Sequence, residues 1–458
     1  MGNLTSGLNI ALQSLLADQG AIDTTSNNIA NVNTPGYSRQ TAVIEETPPI
    51  QIGHITFGTG AQLARVISQR DSILDLRVNQ ETQQQGKLQS FLGPAQQIQS
   101  LFNETNGTGL QTDLTAFFNS FSQLSTNPSD LNLRQAVLSA AQSLAGAFNQ
   151  SSTALTTLQR NTDQSVSQTV SQINTLTKQI AAVNAQVSGA QGAGQNAGPF
   201  ADQRQQLINQ LSSLVDVSEI NAGNGSLTLT TNNGAALVVG GQSFALNTQA
   251  NAITGLQDIY SQGTNITASI TGGQLAGQLQ IRDQEIPSLQ NSLDALAGNL
   301  ATAVNNQQAA GFDLNATAGG NLFVPPRAGN VGAAATLQVA ITDPSKVAAS
   351  GDGSAGDNTN ANALFNLQNQ AIINGLTPLG AYSGLVFKIG NDVQTVQANQ
   401  TAGSQVLQQL QNLQGGISGV DINEESANLI RFQNAYTASA QVASVINTLL
   451  QDTINIIR

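Results

Sequence analysis

The chain has 458 residues, which is enough for about two to four domains with sizeable cores. Only 9% of the residues are charged, the net charge is -12, and the sequence has one His and no Cys. Few side chains therefore remain for acid–base, thiol or metal chemistry, and we expect no catalytic residues, no metal site and no cofactor. The thinly spread negative charge also argues against a nucleic-acid partner, whose phosphates require clustered basic residues.

The sequence lacks both a membrane-spanning pattern and a classical secretion signal. No run approaches the roughly 18 to 20 apolar residues of a transmembrane helix. The first basic residue is Arg39, so the N-terminus has no basic region of a Sec signal, and any export would use another route. The absence of cysteine is compatible with both a reducing cytoplasm and an oxidising exterior.

Apolar residues at both ends of the chain recur at intervals of three and four, which predicts two long helices. The N-terminal stripe contains Leu4, Leu8, Leu15, Ile22 and Ile29. The C-terminal stripe contains Ile422, Leu429, Phe432, Tyr436, Ile446, Leu450 and Ile457. Each stripe alone is compatible with an ordinary core-facing helix of a bundle. Because both are long and lie at the chain ends, we expect them to pair with each other and then with neighbouring copies.

The middle of the chain alternates between helical and β-rich patterns. Helices are predicted over four segments: Asp71–Phe102, Leu131–Val187, Asp202–Val217 and Gln284–Gln308. Ser226–Thr231 and Ala235–Val239 flank Asn233-Gly234 and predict a hairpin, while 264–270 resembles a further strand. Residues 323–389 predict a second irregular or β-rich insertion. The fold class is therefore mainly α with β-rich insertions: terminal helices paired as a coiled coil, a helical rod or bundle, and one or more inserted outer β domains.

No short motif predicts catalysis or metal binding. The glycine-rich segment Gly189–Gly198 lacks the strand and the Lys-Ser/Thr of a phosphate-binding loop, and Asp352–Asp357 fails the calcium-loop pattern. His54 has no second His or Cys for a metal site. Asp283 and Glu285 form the nearest carboxylate pair, but two residues apart on a helix they point in different directions.

The two ends of the chain carry segments that resemble the axial proteins of the bacterial flagellum, the family of rod, hook and hook-associated proteins. At the N-terminus these are Ser6-Gly-Leu-Asn-Ile-Ala-Leu-Gln-Ser and Ser26-Asn-Asn-Ile-Ala-Asn-Val-Asn-Thr-Pro-Gly-Tyr-Ser-Arg-Gln. At the C-terminus it is Gly419-Val-Asp-Ile-Asn-Glu-Glu-Ser-Ala-Asn-Leu-Ile-Arg-Phe-Gln-Asn-Ala-Tyr. Internal segments, among them Asp202-Gln-Arg-Gln-Gln-Leu-Ile and Arg282-Asp-Gln-Glu-Ile-Pro, are similar to the hook-associated protein 1 family.

The resemblance implies a division of the chain into three parts. Residues 1–60 and 419–458 would form a terminal helical assembly domain in the inner tube. Residues 61–200, about 281–310 and 404–418 would form a helical rod domain. Residues 201–280 and 311–403 would form β-rich outer insertions, and an outer domain is expected to be reduced because the chain is short for the family.

The same resemblance implies a non-enzymatic subunit of the junction between hook and filament. It would leave the cell unfolded through the flagellar type III apparatus and form a ring of copies. Its implied partners are the hook protein, a second hook–filament junction protein and a cytoplasmic export chaperone bound to the C-terminal helix. A hook or distal-rod protein is the alternative within the family. An exported glycan hydrolase and a surface adhesin are the alternatives from other classes.

Overall fold

A computed structural model describes residues 2–52, 54–103, 109–223 and 225–457. The helices are α1 (Gly2–Ala30), α2 (Ser72–Phe102), α3 (Leu110–Thr126), α4 (Leu131–Gly192), α5 (Gly198–Leu214), α6 (Gly273–Gln280), α7 (Ile286–Ala309), α8 (Ala333–Thr336), α9 (Thr359–Asn366), α10 (Pro378–Ser418) and α11 (Ile422–Ile457). The strands are β1 (Gln40–Glu46), β2 (Ile50–Ile52), β3 (Ile55–Phe57), β4 (Ala61–Ser68), β5 (Ser218–Asn221), β6 (Leu227–Thr230), β7 (Ala236–Val239), β8 (Gln242–Ser243), β9 (Leu246–Ala250), β10 (Gln257–Ser261) and β11 (Thr264–Asn265).

The longest helix, α4, is the axis of the molecule. It has 62 residues, so it spans about 90 Å at 1.5 Å per residue. The carboxylate of Asp130 caps its start by accepting a hydrogen bond from the Asn132 amide at 2.7 Å. Its first half packs with α2, α3, α7 and α10 around a buried aromatic group in which Phe117 contacts Phe118, Phe121 and Phe323. We call the unit formed by α2 to α5, α7 and α10 the rod.

The second half of α4 supports two small antiparallel sheets. One has the strand order β5-β6-β7-β8 and the other has the order β11-β10-β9. A second apolar cluster, which includes Ile173, Ile208 and Leu229, joins these sheets to α4, α5 and α6. The predicted hairpin is confirmed, since β6 pairs with β7 around a turn in which Gly234 has φ of 87°. Such a backbone angle favours glycine.

The long helices and the fold class are confirmed, because helices dominate the described residues and the sheets are inserted between them. None of the described helices is both long and apolar enough to cross a membrane.

Two predictions of secondary structure in the second half of the chain are wrong. The strand expected over 264–270 ends at Asn265 and gives way to a 3₁₀ turn at Thr267–Ser269. The region 311–403, expected to be β-rich, has isolated bridges and short helical turns before α10 begins at Pro378. The core face of α10 has helical spacing, with Tyr382, Leu385, Ile389 and Val393 buried. Glycines and polar residues between these positions, such as Gly384, Gly390 and Asn391, obscured that spacing in the sequence.

Residues 1–60 also contain strands, which the helical patterns at the chain ends did not predict. Strand β1 pairs with β4, and the short hairpin of β2 and β3 extends this ribbon. Gln40 to Ile44 has the β-branched composition of a strand, but the terminal helices dominated the interpretation of this region.

Candidate assembly site at the paired chain ends

The two ends of the chain form an antiparallel helix pair. Gly7 of α1 lies beside Ile446 of α11, since a Cβ atom at Gly7 would stand 3.2 Å from the Ile446 Cδ1 atom. Farther along, Ser439 donates a hydrogen bond to Asp18 at 3.5 Å. We call α1, α11 and the β1–β4 ribbon together the terminal arm.

The stripe residues predicted from the sequence are buried to different degrees in this helix pair. The half-buried ones are Leu4, Leu8, Leu15, Ile22, Ile29, Leu429, Phe432, Ile446 and Leu450. Ile422 and Tyr436 are 51% and 39% exposed, and the side chain of Ile457 lies outside the described residues. The most buried apolar positions of the pair are the alanines Ala11, Ala17 and Ala21. Ala11 falls on the predicted spacing of the N-terminal stripe, whereas Ala17 and Ala21 do not. Small residues bring the two backbones close together, so a search for alanine at helical spacing would have found them.

A second set of apolar side chains on the pair faces solvent. We define the open face as Leu12, Leu16, Val442, Val445 and Leu449, whose exposed fractions lie between 47% and 60%. On each helix these residues are spaced by three or four, so they lie on one side of that helix. Exposed apolar residues arranged in this way are typical of a surface that another protein covers.

Asn28 is 1% exposed and connects the end of the helix pair to its surroundings through four hydrogen bonds. Its amide nitrogen donates to the Gln40 carbonyl at 2.7 Å and to Glu425 Oε2 at 2.9 Å. Its amide oxygen accepts from the Gln40 N–H at 2.9 Å and from the Tyr37 hydroxyl at 2.8 Å. One side chain therefore joins α1, β1 and α11.

Arg39 completes this connection by pairing with two consecutive carboxylates of α11. Its Nε atom lies 2.7 Å from Glu425, which is 2% exposed, and its Nη2 atom lies 2.5 Å from Glu424. Burial lowers the pKa of Arg39, but the hydrogen bonds to Glu424 and Glu425 outweigh it and raise the pKa above its ordinary value. Charge-assisted bonds of this geometry are among the stronger polar contacts in proteins.

The terminal arm meets the rod through a glycine turn and a buried aspartate. Gly36 has φ of 76°, and a Cβ atom there would collide with Gln206 of α5, so the turn requires glycine for two reasons. Two residues later, the Ser38 N–H donates to Asp202 at 2.9 Å. Burial raises the pKa of Asp202, and the Ser38 amide and the Arg70 guanidinium oppose that shift.

The weak motifs of the sequence form no reactive site. Asp283 pairs with Arg282 and Glu285 pairs with Lys388, so both carboxylates hold structural ion pairs. Asp357 accepts hydrogen bonds from Gly351 and Thr359 within its own turn. Among the described residues no group of three His, Asp or Glu side chains is arranged to hold a metal ion, and His54 is exposed in the turn between β2 and β3.

We predict that Asn28→Ala loosens the paired helices without unfolding the rod. The substitution leaves the Gln40 backbone N–H and C=O without their Asn28 partner, at a cost of about 1 to 3 kcal/mol for each buried group. It also removes the bond to Glu425 Oε2, although Arg39 still pairs with Glu425 Oε1. Hydrogen exchange followed by mass spectrometry should show faster exchange in α1 and α11 and unchanged exchange in α4. The control is Asn434→Ala, at an exposed position of α11. Equal protection of α1 in Asn28→Ala and in the parent chain would contradict the prediction.

Tyr37 provides a pH test of the same network. Burial, together with the charges of Asp202 and Glu425, raises the pKa of Tyr37 to about 12. An unfolded tyrosine ionises near pH 10, so its contribution to stability is complete below pH 10 and is lost as the pH rises towards 12. The phenolate absorbance of the parent chain minus that of Tyr37→Phe should rise with a midpoint near pH 12. A midpoint near pH 10 would show that the Tyr37 hydroxyl is not buried beside the charges of Asp202 and Glu425.

Three models of flagellar protein families match separate parts of the chain. The model of the flagellar hook-associated protein FlgK helical domain matches residues 95–323. A model of flagella basal body rod proteins matches residues 8–37, and the flagellar basal body rod FlgEFG protein C-terminal model matches residues 414–456. The two terminal matches include Asn28, Tyr37, Glu424 and Glu425 of the network above.

Relatives align over nearly the whole chain. Flagellar hook-associated protein 1 of Bacillus subtilis (strain 168) is 30% identical over 503 residues, covering 98% of this chain and 97% of the relative. The Escherichia coli (strain K12) protein of the same name is 28% identical over 547 residues, covering 99% of this chain and 100% of the relative. Both alignments exceed 458 residues, so each relative carries segments without a counterpart here.

A solved structure shares the fold. The flagellar hook junction protein FlgK from Burkholderia pseudomallei superposes with a TM-score of 0.68 at 19% identity, covering 75% of this chain and 100% of that chain. The match of the FlgK helical domain to residues 95–323 favours a hook-associated protein over the alternative of a hook or distal-rod protein. The chain belongs to the flagellar hook-associated protein 1 family and is a structural protein of the hook–filament junction in the bacterial flagellum.

Proposed function

We propose that this chain is a mechanical adaptor without catalytic activity, and that a ring of its copies joins the hook to the filament. The observation that carries the proposal is the open face of the terminal arm, where exposed apolar residues recur at helical spacing on both paired helices. In a ring the open face of one copy would be covered by its neighbours, which would remove the stripe from water.

The proposed partners follow from the position of the junction. The hook protein would contact the ring on one side and a second hook–filament junction protein on the other, with the terminal arms in the inner tube. The two apolar surfaces of the arm would then have different roles. The half-buried stripe would hold α1 against α11, and the open face would contact other subunits. The domain boundaries at 60, 200, 280 and 403 remain part of this proposal.

Export is proposed to use the flagellar type III apparatus, because the chain belongs to a family of flagellar axial proteins. A chain exported unfolded must keep its apolar stripes from associating prematurely in the cytoplasm. We propose that an export chaperone covers the apolar side of the C-terminal helix until export, binding the helix in an apolar groove.

We predict that Leu449→Asp prevents filament growth while the chain stays folded. Leu449 is 47% exposed on the open face, so its replacement by Asp places a charge where another subunit would cover it. Electron microscopy should show hooks without filaments, and circular dichroism of the purified variant should match that of the parent chain. Asn447→Asp is the matched control, because it adds the same charge to a polar exposed position of the same helix. Normal filaments on cells with Leu449→Asp would rule out the open face as the assembly surface.

Removal of the C-terminal helix should abolish chaperone binding. Isothermal titration calorimetry would compare the cognate chaperone against the full chain and against a chain ending at Gly419. The expected result is loss of the binding signal in the shortened chain, because α11 carries the apolar residues from Leu429 to Leu450. Equal affinity for both chains would place the chaperone site elsewhere.

A further inference from the structure

The joint between the terminal arm and the rod differs in chemistry from the two units that it connects. The buried apolar clusters of the described residues lie in the rod and around the small sheets, and none includes a residue of the terminal arm. The arm contacts α5 and the loop before it through hydrogen bonds instead. These are Ser38 to Asp202 at 2.9 Å, Asn196 to Gln40 at 3.0 Å, and Gln206 to the Pro35 carbonyl.

A polar cavity of about 190 Å³ lies at this joint. Its walls come from both units and include Gly36, Tyr37, Arg70, Asp75, Gln411 and Gln414. Hydrogen bonds beside such a cavity can exchange with water at small net cost, whereas separating an apolar contact exposes surface to water. The joint therefore opposes rotation less than an apolar interface would.

The chain passes between the two units twice, and the two passages lie side by side. One consists of Gln69 to Asp71, between β4 and α2, and the other of Ser418 to Asp421, between α10 and α11. The Gln69 N–H donates to the Arg39 carbonyl at 2.8 Å, and the Arg39 N–H donates to the Ser418 carbonyl at 2.8 Å. Two adjacent passages define an axis about which one unit can turn.

Two glycines weaken α10 immediately before this axis. Gln414 is anchored on α2 by a hydrogen bond to Asp75 at 2.5 Å, and Gly415 and Gly416 follow it in the last turn of the helix. A Cβ atom at either glycine would meet nothing within 4 Å, so close packing does not require glycine there. Gly419 differs, because a Cβ atom there would collide with the Gly415 carbonyl. Glycine inside a helix is destabilising relative to alanine.

We propose that this joint is a hinge, in which the last turn of α10 at Gly415 and Gly416 bends and allows the terminal arm to turn relative to the rod. Each side of the hinge is held internally, the arm by Asn28, Arg39 and Glu425 and the rod by its apolar cluster. Subunits of one ring could then adjust individually to a curved hook below and a straighter filament above. That use of the hinge rests on the proposed function, whereas the hinge itself is a property of the single chain.

The absence of cysteine makes the hinge directly measurable. Spin labels on Gln62→Cys in β4 and Gln168→Cys in α4 would report the distance between arm and rod by pulsed electron resonance. The pair Gln97→Cys and Gln168→Cys would report the internal rigidity of the rod. All three positions are exposed. We expect a broader distance distribution for the arm–rod pair than for the pair within the rod.

Replacing both glycines by alanine should narrow the arm–rod distribution, because each alanine lowers the population of the unwound last turn on the order of fivefold. Gly146→Ala in α4 is the matched control, since that helical glycine also has open space around it. The hinge is refuted if the distribution of arm–rod distances is as narrow as the distribution for the pair within the rod. It is also refuted if the two alanine substitutions leave the arm–rod distribution unchanged. Either result would leave the proposed function standing, because that function is tested separately by Leu449→Asp.

Discussion

The terminal arm, on which assembly depends, is held together by one buried polar contact, the pair formed by the Asn28 amide and the Glu425 carboxylate. These residues are 397 positions apart in the chain, yet they lie 2.9 Å apart at the base of the terminal arm. Leaving a buried carboxylate without a partner is costly, so this contact disfavours other registers of α1 against α11. Arg39 supplies the compensating charge, and the stripe residues and alanines of the pair then pack in the register that the polar contact sets.

The arm differs from the rod in how each is stabilised. The rod buries a phenylalanine-rich cluster along α4 and needs no partner to remove it from water. In the arm only alanines are fully buried among the apolar residues of the helix pair, its larger stripe residues are half-buried, and a further set of apolar side chains lies on the open face. A unit built in this way gains additional burial when other copies cover it, which is the thermodynamic requirement for assembly. The polar joint between the two units separates the folding of the rod from the assembly of the arm.

The sequence predicted secondary structure correctly where a local pattern is compatible with only one type of element. Helical spacing predicted α1, α2, α4, α7 and α11, and the Asn233-Gly234 dipeptide predicted the β6–β7 hairpin. It failed where composition was misleading, as in α10, whose polar residues and glycines concealed the helical spacing of its core face. It also failed for the β1–β4 ribbon, because the pairing of Thr41 with Ile67 and of Val43 with Arg65 joins segments more than twenty residues apart.

The sequence by itself determined that the chain ends are helices with apolar stripes, and its terminal motifs indicated the flagellar axial family. Only the tertiary structure decided which apolar residues face α1 and α11 and which face solvent, because that depends on the rotation of each helix against its partner. The motif residues Asn28, Tyr37, Arg39 and Glu425 acquired a physical role only in three dimensions. A buried hydrogen-bond network is specified by distances between remote residues, and no local pattern contains those distances.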